Sequence, residues 1–147
     1  MKAFRFNLER VLEFHAAQVR AEEVKLQVLN DQAANLRRAS ESLDQSRAAE
    51  EDKIRHATVL EGADLQALES YRKQVQRQKE HLRDRLVDLE KRLDAQRDQL
   101  LKARRKLRLL EKLRERRLQE WTIEANKELE QIASESHLAR FVREQDR

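Results

Sequence analysis

The chain has 147 residues, with no proline, one glycine, no cysteine and 41% charged residues against only 4% aromatic ones. Such a composition excludes a filled globular core, disulfides and thiolate metal sites, and leaves room for one buried apolar stripe per helix. The formal net charge of +4 is a mild bias for this length, and no apolar run approaches the roughly 18 residues needed to span a bilayer.

The chain begins MKAFRF, without the continuous apolar segment of a secretory signal, so a cytoplasmic location is the expectation. The first predicted helix covers about residues 5–58. Along it Leu8, Leu12, His15, Val19, Glu22, Leu26, Leu29, Ala33, Leu36, Ser40 and Leu43 follow a strict 4-3-4-3 spacing. A seven-residue repeat held this long is a narrow seam that only a second helix can cover. Asn7 is the candidate N-cap. Residues 46–53 (SRAAEEDK) put Arg47 and Glu50 into seam positions, which predicts a loose coil there.

The pattern breaks once, at residues 58–64 (TVLEGAD). Gly62 suits the left-handed residue that closes a helix and Asp64 the N-cap of the next, which sets a turn at about 59–64. The second predicted helix covers about 65–138. Its seam returns as Leu82, Leu86, Leu89, Leu93, Gln96, Leu100, Ala103, Leu107 and Leu110. The polar residues 143–147 should fray.

Two architectures fit: an antiparallel hairpin within one chain, or a nearly continuous helix that dimerises and tolerates Gly62 at a cost of ~1 kcal/mol. If the chain folds back near Gly62, paired residues have numbers adding to about 125 in a continuous seam. Leu43 then faces Leu82, Leu36 faces Leu89, Leu26 approaches Leu100, Val19 meets Leu107 and Leu12 meets Leu113. Arg47 falls beside Gln78, so the weak positions also match. The seams stay in phase, which favours an all-α, long antiparallel two-helix coiled-coil hairpin forming one domain over 1–147 and monomeric when free.

In that register the last thirty or so residues have little of the first helix to lie against. They still carry Leu118, Trp121, Ile123, Leu129, Ile132 and Leu138, and an unmatched apolar helix implies a partner. Phe4, Phe6 and Phe14 add apolar surface at the same end. Phe4 and Trp121 satisfy the pairing register, so a simple aromatic plug is the plain alternative. Between Lys102 and Arg117 nine basic residues are broken only by Glu111 and Glu115. This block suits nucleic acid, an anionic membrane or an acidic protein surface, or is a solvated helix face.

No catalytic constellation is present, and an enzyme is not expected. His15, His56, His81 and His137 form no i,i+4 pair for a metal. One glycine cannot build a phosphate-cradling loop. Neither a cofactor nor a metal is expected.

Several segments together resemble one family. They are 4–14 (FRFNLERVLEF) with 21–27 (AEEVKLQ), 110–121 (LEKLRERRLQEW), and 126–133 (NKELEQIA). They resemble the FliJ family of flagellar type III export proteins over essentially the whole chain. Where that family usually has an Asp-Glu pair in the closing segment, this chain has Glu130-Gln131. The resemblance implies an antiparallel coiled coil similar to the central stalk of rotary ATPases. It implies insertion into the flagellar export ATPase hexamer, promotion of its hexamerisation and hydrolysis, contact with the cytoplasmic domain of the export gate, and handling of export chaperones. The protein would then be peripheral to the inner membrane through these partners. By that analogy the ATPase-binding candidates are Phe4, Phe6, Leu8, Arg114, Arg116, Arg117, Leu118, Trp121, Leu129 and Ile132. The gate-binding candidates are Leu68, Tyr71, Val75 and Leu82, with ordinary seam packing as the alternative for Leu82. The stalk of a needle-type secretion system, a nucleic-acid-binding coiled coil and a purely structural coiled coil remain as other readings. No nucleic-acid partner is expected under the first.

Overall fold

The computed structural model describes residues 2–145. It is all-α among these residues: α1 spans Glu9–Arg55 and α2 spans Gly62–Gln145. The two helices run antiparallel as a coiled-coil hairpin. Contacts divide the chain into two compact units. One comprises the two ends of the chain, up to Val19 and from Lys102 onward; the other is Arg20–Leu101.

In the Arg20–Leu101 unit the seam is built around Ala33, Leu89 and Leu93, with Leu26, Leu29, Leu36 and Leu86 packed against them. Ala33 is small enough to be covered completely, so α2 leucines close over it. Each fully buried leucine contributes about 1.5–3 kcal/mol relative to exposure. Ion pairs flank the seam. Lys79 donates to Asp44 at 2.7 Å, Arg72 to Glu51 at 2.9 Å, and Arg37 lies 3.8 Å from Glu90. These pairs fall close to the register expected for a chain folding back near Gly62. Leu36 and Leu89 share one groove, and Leu43 shares another with Leu82 and Gln78.

The loosened stretch is also visible. Arg47 Nε is buried without a hydrogen bond and lies 3.9 Å from Glu51. Polar groups occupy the seam here, and half-exposed ion pairs of this kind contribute only about 0–1 kcal/mol each.

In the other unit Val19 and Ala103 are buried. Leu12, His15, Leu107, Leu110 and Leu113 are half-buried at the remaining seam positions.

Three local details differ from the sequence expectation. Gly62 does not close α1. No described glycine has a positive φ, and Gly62 is the first residue of α2. Asp64 is not the N-cap either. It sits in the first turn and accepts the Glu61 backbone N–H at 3.1 Å, while its own N–H donates to the Glu61 carbonyl. This is the backward arm of a capping box, with Glu61 at the cap. At the other end, Asn7 is not the cap of α1. The Leu8 carbonyl accepts the first helical bond, from Leu12 at 2.9 Å, and Glu9 lies in the first turn, where its charge suits the helix dipole.

The helix bounds shift accordingly. Residues 2–6 lie outside α1, and α1 ends at Arg55 with Lys53 and Arg55 in its last turn. The connection narrows to 56–61, and α2 continues to Gln145, since no glycine or proline stops it. Of the segment expected to fray, 143–145 is helical, and residues 146 and 147 lie outside the described residues.

A Cβ added to Gly62 would meet nothing within 4 Å. Gly62→Ala should therefore stabilise the protein by about 0.4–1 kcal/mol, by restricting the unfolded chain. Urea unfolding followed by circular dichroism checks this. A fall in the midpoint would mean that Gly62 adopts a conformation forbidden to alanine.

Candidate functional site

In the unit formed by the chain ends, residues 2–8 lie on α2 as a non-helical strap, held there by three contacts and by a fourth just beyond it, at Glu9 of α1. The Phe4 and Trp121 rings lie 6.1 Å apart at 59°. The Trp121 indole N–H donates to the Lys2 carbonyl at 3.3 Å. Arg114 places its guanidinium 5.8 Å from the Phe4 ring centre and donates through Nε to Glu9 at 3.1 Å. Tilted aromatic pairs contribute about 0.5–1.5 kcal/mol beyond the area they bury. A cation over a ring adds about 0.5–1 kcal/mol at an exposed site.

The strap and α2 together enclose a pocket of about 570 Å³. Its apolar walls are Phe4, Phe6, Leu8, Leu113 and Trp121, and Arg117, Glu120 and Glu124 supply charge. Five of the ATPase-binding candidates therefore meet at one place: Phe4, Phe6, Leu8, Arg117 and Trp121. Arg114 adjoins them through Phe4. Arg116 and Arg117 pair along their own helix with Glu120, at 3.5 and 3.2 Å. Leu118 lies at the exposed limit of the covered region.

Leu129 and Ile132 are not part of this cluster. They lie farther along α2 and are 64% and 56% exposed. Every residue from 126 to 145 is exposed. The apolar residues of this stretch extend to Phe141 and Val142, which the sequence reading did not single out. It also missed Glu9, and it placed Leu113 only in the seam opposite Leu12. Glu9 matters because it anchors Arg114, and only the three-dimensional meeting of α1 with α2 reveals that. Phe141 and Val142 could have been found by continuing the count of apolar residues past Leu138.

In the Arg20–Leu101 unit, Leu68 and Tyr71 are half-buried and line a groove of about 360 Å³ with Ala67, Ile54, Glu50 and Asp64. Val75 is 2% exposed, among the most completely buried side chains, and does not line this groove. Leu82 is half-buried and borders a separate, largely apolar groove with Leu43 and Ala39. Near it, the hydrogen bond from Lys79 holds the Asp44 carboxyl below its ordinary value. Slight desolvation opposes the shift, and the charges of Lys79 and Arg47 reinforce it. Among the described residues no group of three His, Cys, Asp or Glu could hold a metal ion, and no helix is long and apolar enough to cross a membrane.

Trp121 is the only tryptophan, so its fluorescence reports the strap directly. Phe4→Ala should raise the acrylamide quenching of Trp121 and red-shift its emission while helicity stays unchanged. Unchanged quenching would mean that the strap does not lie on Trp121 in solution.

No curated protein and no solved structure matches the chain. A family match covers residues 4–143, from the strap to near the end of α2, and its description is Flagellar FliJ protein. Nearly the whole chain is included, and the protein belongs to the FliJ family.

Proposed function

We propose that this flagellar export-related protein acts as a central-stalk-like coiled coil that binds the ring of the flagellar export ATPase, promotes its hexamerisation and activity, and links it to the export gate and to substrate chaperones. The observation that carries the reading is the apolar surface left on α2 after Trp121. Ile123, Leu129, Ile132, Leu138, Phe141 and Val142 are all exposed, and among the described residues α1 supplies nothing to cover 126–145. A helix that keeps six large apolar side chains in water gains by docking them elsewhere.

In this reading Phe4, Phe6, Leu8, Leu118, Trp121, Leu129 and Ile132 are the apolar contacts of the ring. Arg114, Arg116 and Arg117 meet its acidic groups. The strap holds Phe4 against Trp121, so part of the contact surface is ordered before binding, which lowers the entropy lost on association. An asymmetric shaft meets each subunit of a ring differently. It binds the assembled ring and not the isolated subunit, so assembly is favoured by mass action, and equivalent nucleotide sites become inequivalent.

Leu68 and Tyr71 would form the surface for the gate, with the buried Val75 next in their row on α2 and Leu82 extending the apolar area. The protein would be monomeric when free, cytoplasmic, and peripheral to the inner membrane through its partners.

The test is hydrolysis and oligomeric state of the export ATPase with and without this protein. Faster hydrolysis together with more hexamer is expected, and no change in either, with the added protein folded, would sink the proposal. A paired L129A/I132A variant should lose most of the stimulation, by about tenfold or more, if each leucine-sized contact carries about 1–2 kcal/mol at the interface.

The gate surface is separable. Tyr71→Ala should weaken binding to the cytoplasmic domain of the gate while leaving ATPase stimulation intact. Equal loss of both would indicate general unfolding and not a docking residue.

A further inference from the structure

In the unit formed by the chain ends, α2 carries its block of basic residues from Lys102 onward. Ala103, Leu107, Leu110, Leu113 and Arg114 are the buried or half-buried residues of this stretch. With about 3.6 residues per turn, Lys102, Arg105, Arg108, Leu109 and Lys112 fall within an arc of roughly 120° on the opposite side of the helix. All five are exposed, and Leu109, at 69%, is among the most exposed large apolar side chains of the protein. The two acidic residues of the stretch, Glu111 and Glu115, stand outside this arc. We propose that this outward face binds the surface of an anionic phospholipid bilayer directly. The inference is independent of the ATPase and the gate, through which the preceding reading brings the protein to the membrane.

The first argument is charge. Several exposed cations elsewhere stand one turn from a carboxylate: Lys53 from Glu50 at 2.9 Å, Arg97 from Asp94 at 3.0 Å, and Arg117 from Glu120 at 3.2 Å. Lys102, Arg105, Arg108 and Lys112 have no such partner among the described residues. Four like charges held within about 15 Å along one helix repel one another and gain from a surface of opposite sign. They share one side of the helix, so a flat surface meets all four together.

The second argument is Leu109. It stands amid the cations, where a lipid interface offers an apolar boundary directly beneath the headgroups that meet its neighbours. The lysine and arginine stems lie along the same boundary while their charges reach the headgroup level. A nucleic acid would leave Leu109 against phosphates, and the arc holds no aromatic ring on which a base could stack. The combination of cations with a leucine therefore favours lipid.

Flotation of the full chain with vesicles tests this. The protein should float with vesicles of phosphatidylglycerol mixed into phosphatidylcholine, and not with phosphatidylcholine alone. Binding should fall away at about 1 M salt, where charges are screened beyond about 3 Å. Each cation near an anionic surface contributes about fivefold in affinity, so R105Q/R108Q/K112Q should bind on the order of a hundredfold more weakly. R83Q/R85Q/K91Q removes the same charge from exposed positions of the other unit and should bind like the native chain. Glutamine suits a helix, so both variants should keep native helicity. The chain has no cysteine, so L109C accepts an environment-sensitive dye at one site, and its emission should shift to the blue on phosphatidylglycerol vesicles. Equal weakening by the two triple variants would overturn the inference, because net charge alone would then account for binding. An unshifted dye on vesicle-bound protein would also overturn it, since Leu109 would have stayed in water. So would the absence of flotation, and binding of duplex DNA in its place would reassign the face to nucleic acid.

Discussion

The rest of the structure depends on the narrowness of its apolar seam. A stripe made of every third and fourth residue covers too little of a helix to fill a globular core, and it is too continuous to leave in water. With one break in the pattern and no proline, the chain has a single place to turn. The short connection at 56–61 then brings the second seam onto the first. Antiparallel pairing follows from this geometry. The charged majority of the residues is the solvated remainder of two helices, most of whose circumference faces water.

The seam also accounts for the strap. Where α1 begins, α2 continues without a helical partner, and its apolar residues still need cover. Residues 2–8 supply some of it without forming a helix. They can do so because Phe4 and Phe6 bring large side chains on a short segment, and because Trp121 has an N–H to satisfy as well as a ring to cover. Arg114 joins the two parts through Glu9 and the Phe4 ring. The strap therefore covers α2 about as far as Trp121, and the apolar residues from Ile123 onward stay exposed. That boundary between covered and uncovered surface is what makes a partner for this part of α2 physically reasonable.

The fold was legible because its signal is long. Errors at single residues average out over so many repeats, and buried Val19, Ala33, Leu89, Leu93, Leu100 and Ala103 all occupy predicted seam positions. The meeting of Phe4 with Trp121 was legible for the same reason, since one register carries from the leucines to the aromatic end. Single-residue signals fared worse. Glycine favours the left-handed end of one helix and is also tolerated in the first turn of the next, so Gly62 alone could not decide where α1 stops. Asp64 suits the N-cap or the third helical position equally well by residue type, and its hydrogen bond to Glu61 selects the second. Within the candidate site, Arg114 and Trp121 were identifiable by type. Their partners, Glu9 and the Lys2 carbonyl, were not, because a charge pair across helices depends on rotamers as well as on register.

Stability along the seam is uneven, and the unevenness bears on function. Around Ala33 and Leu89 the packing is apolar and nearly complete. Toward the turn, Arg47 occupies a seam position with an unsatisfied Nε, and Glu51 is shared between Arg47 and Arg72. Hydrogen-bonded ion pairs near water replace leucine burial there, and each replacement gives up most of what a buried side chain would contribute. Such a stretch opens locally at lower free energy than the leucine layers. Tyr71 and Leu68 lie in this stretch, in a groove floored by α1 residues Glu50 and Ile54. A docking surface over weak packing can adjust to a partner at small cost, whereas the same adjustment over Ala33 and Leu89 would break close-packed contacts. The polar substitutions that loosen the coil near the turn thus place its adaptable surface next to the half-buried Tyr71.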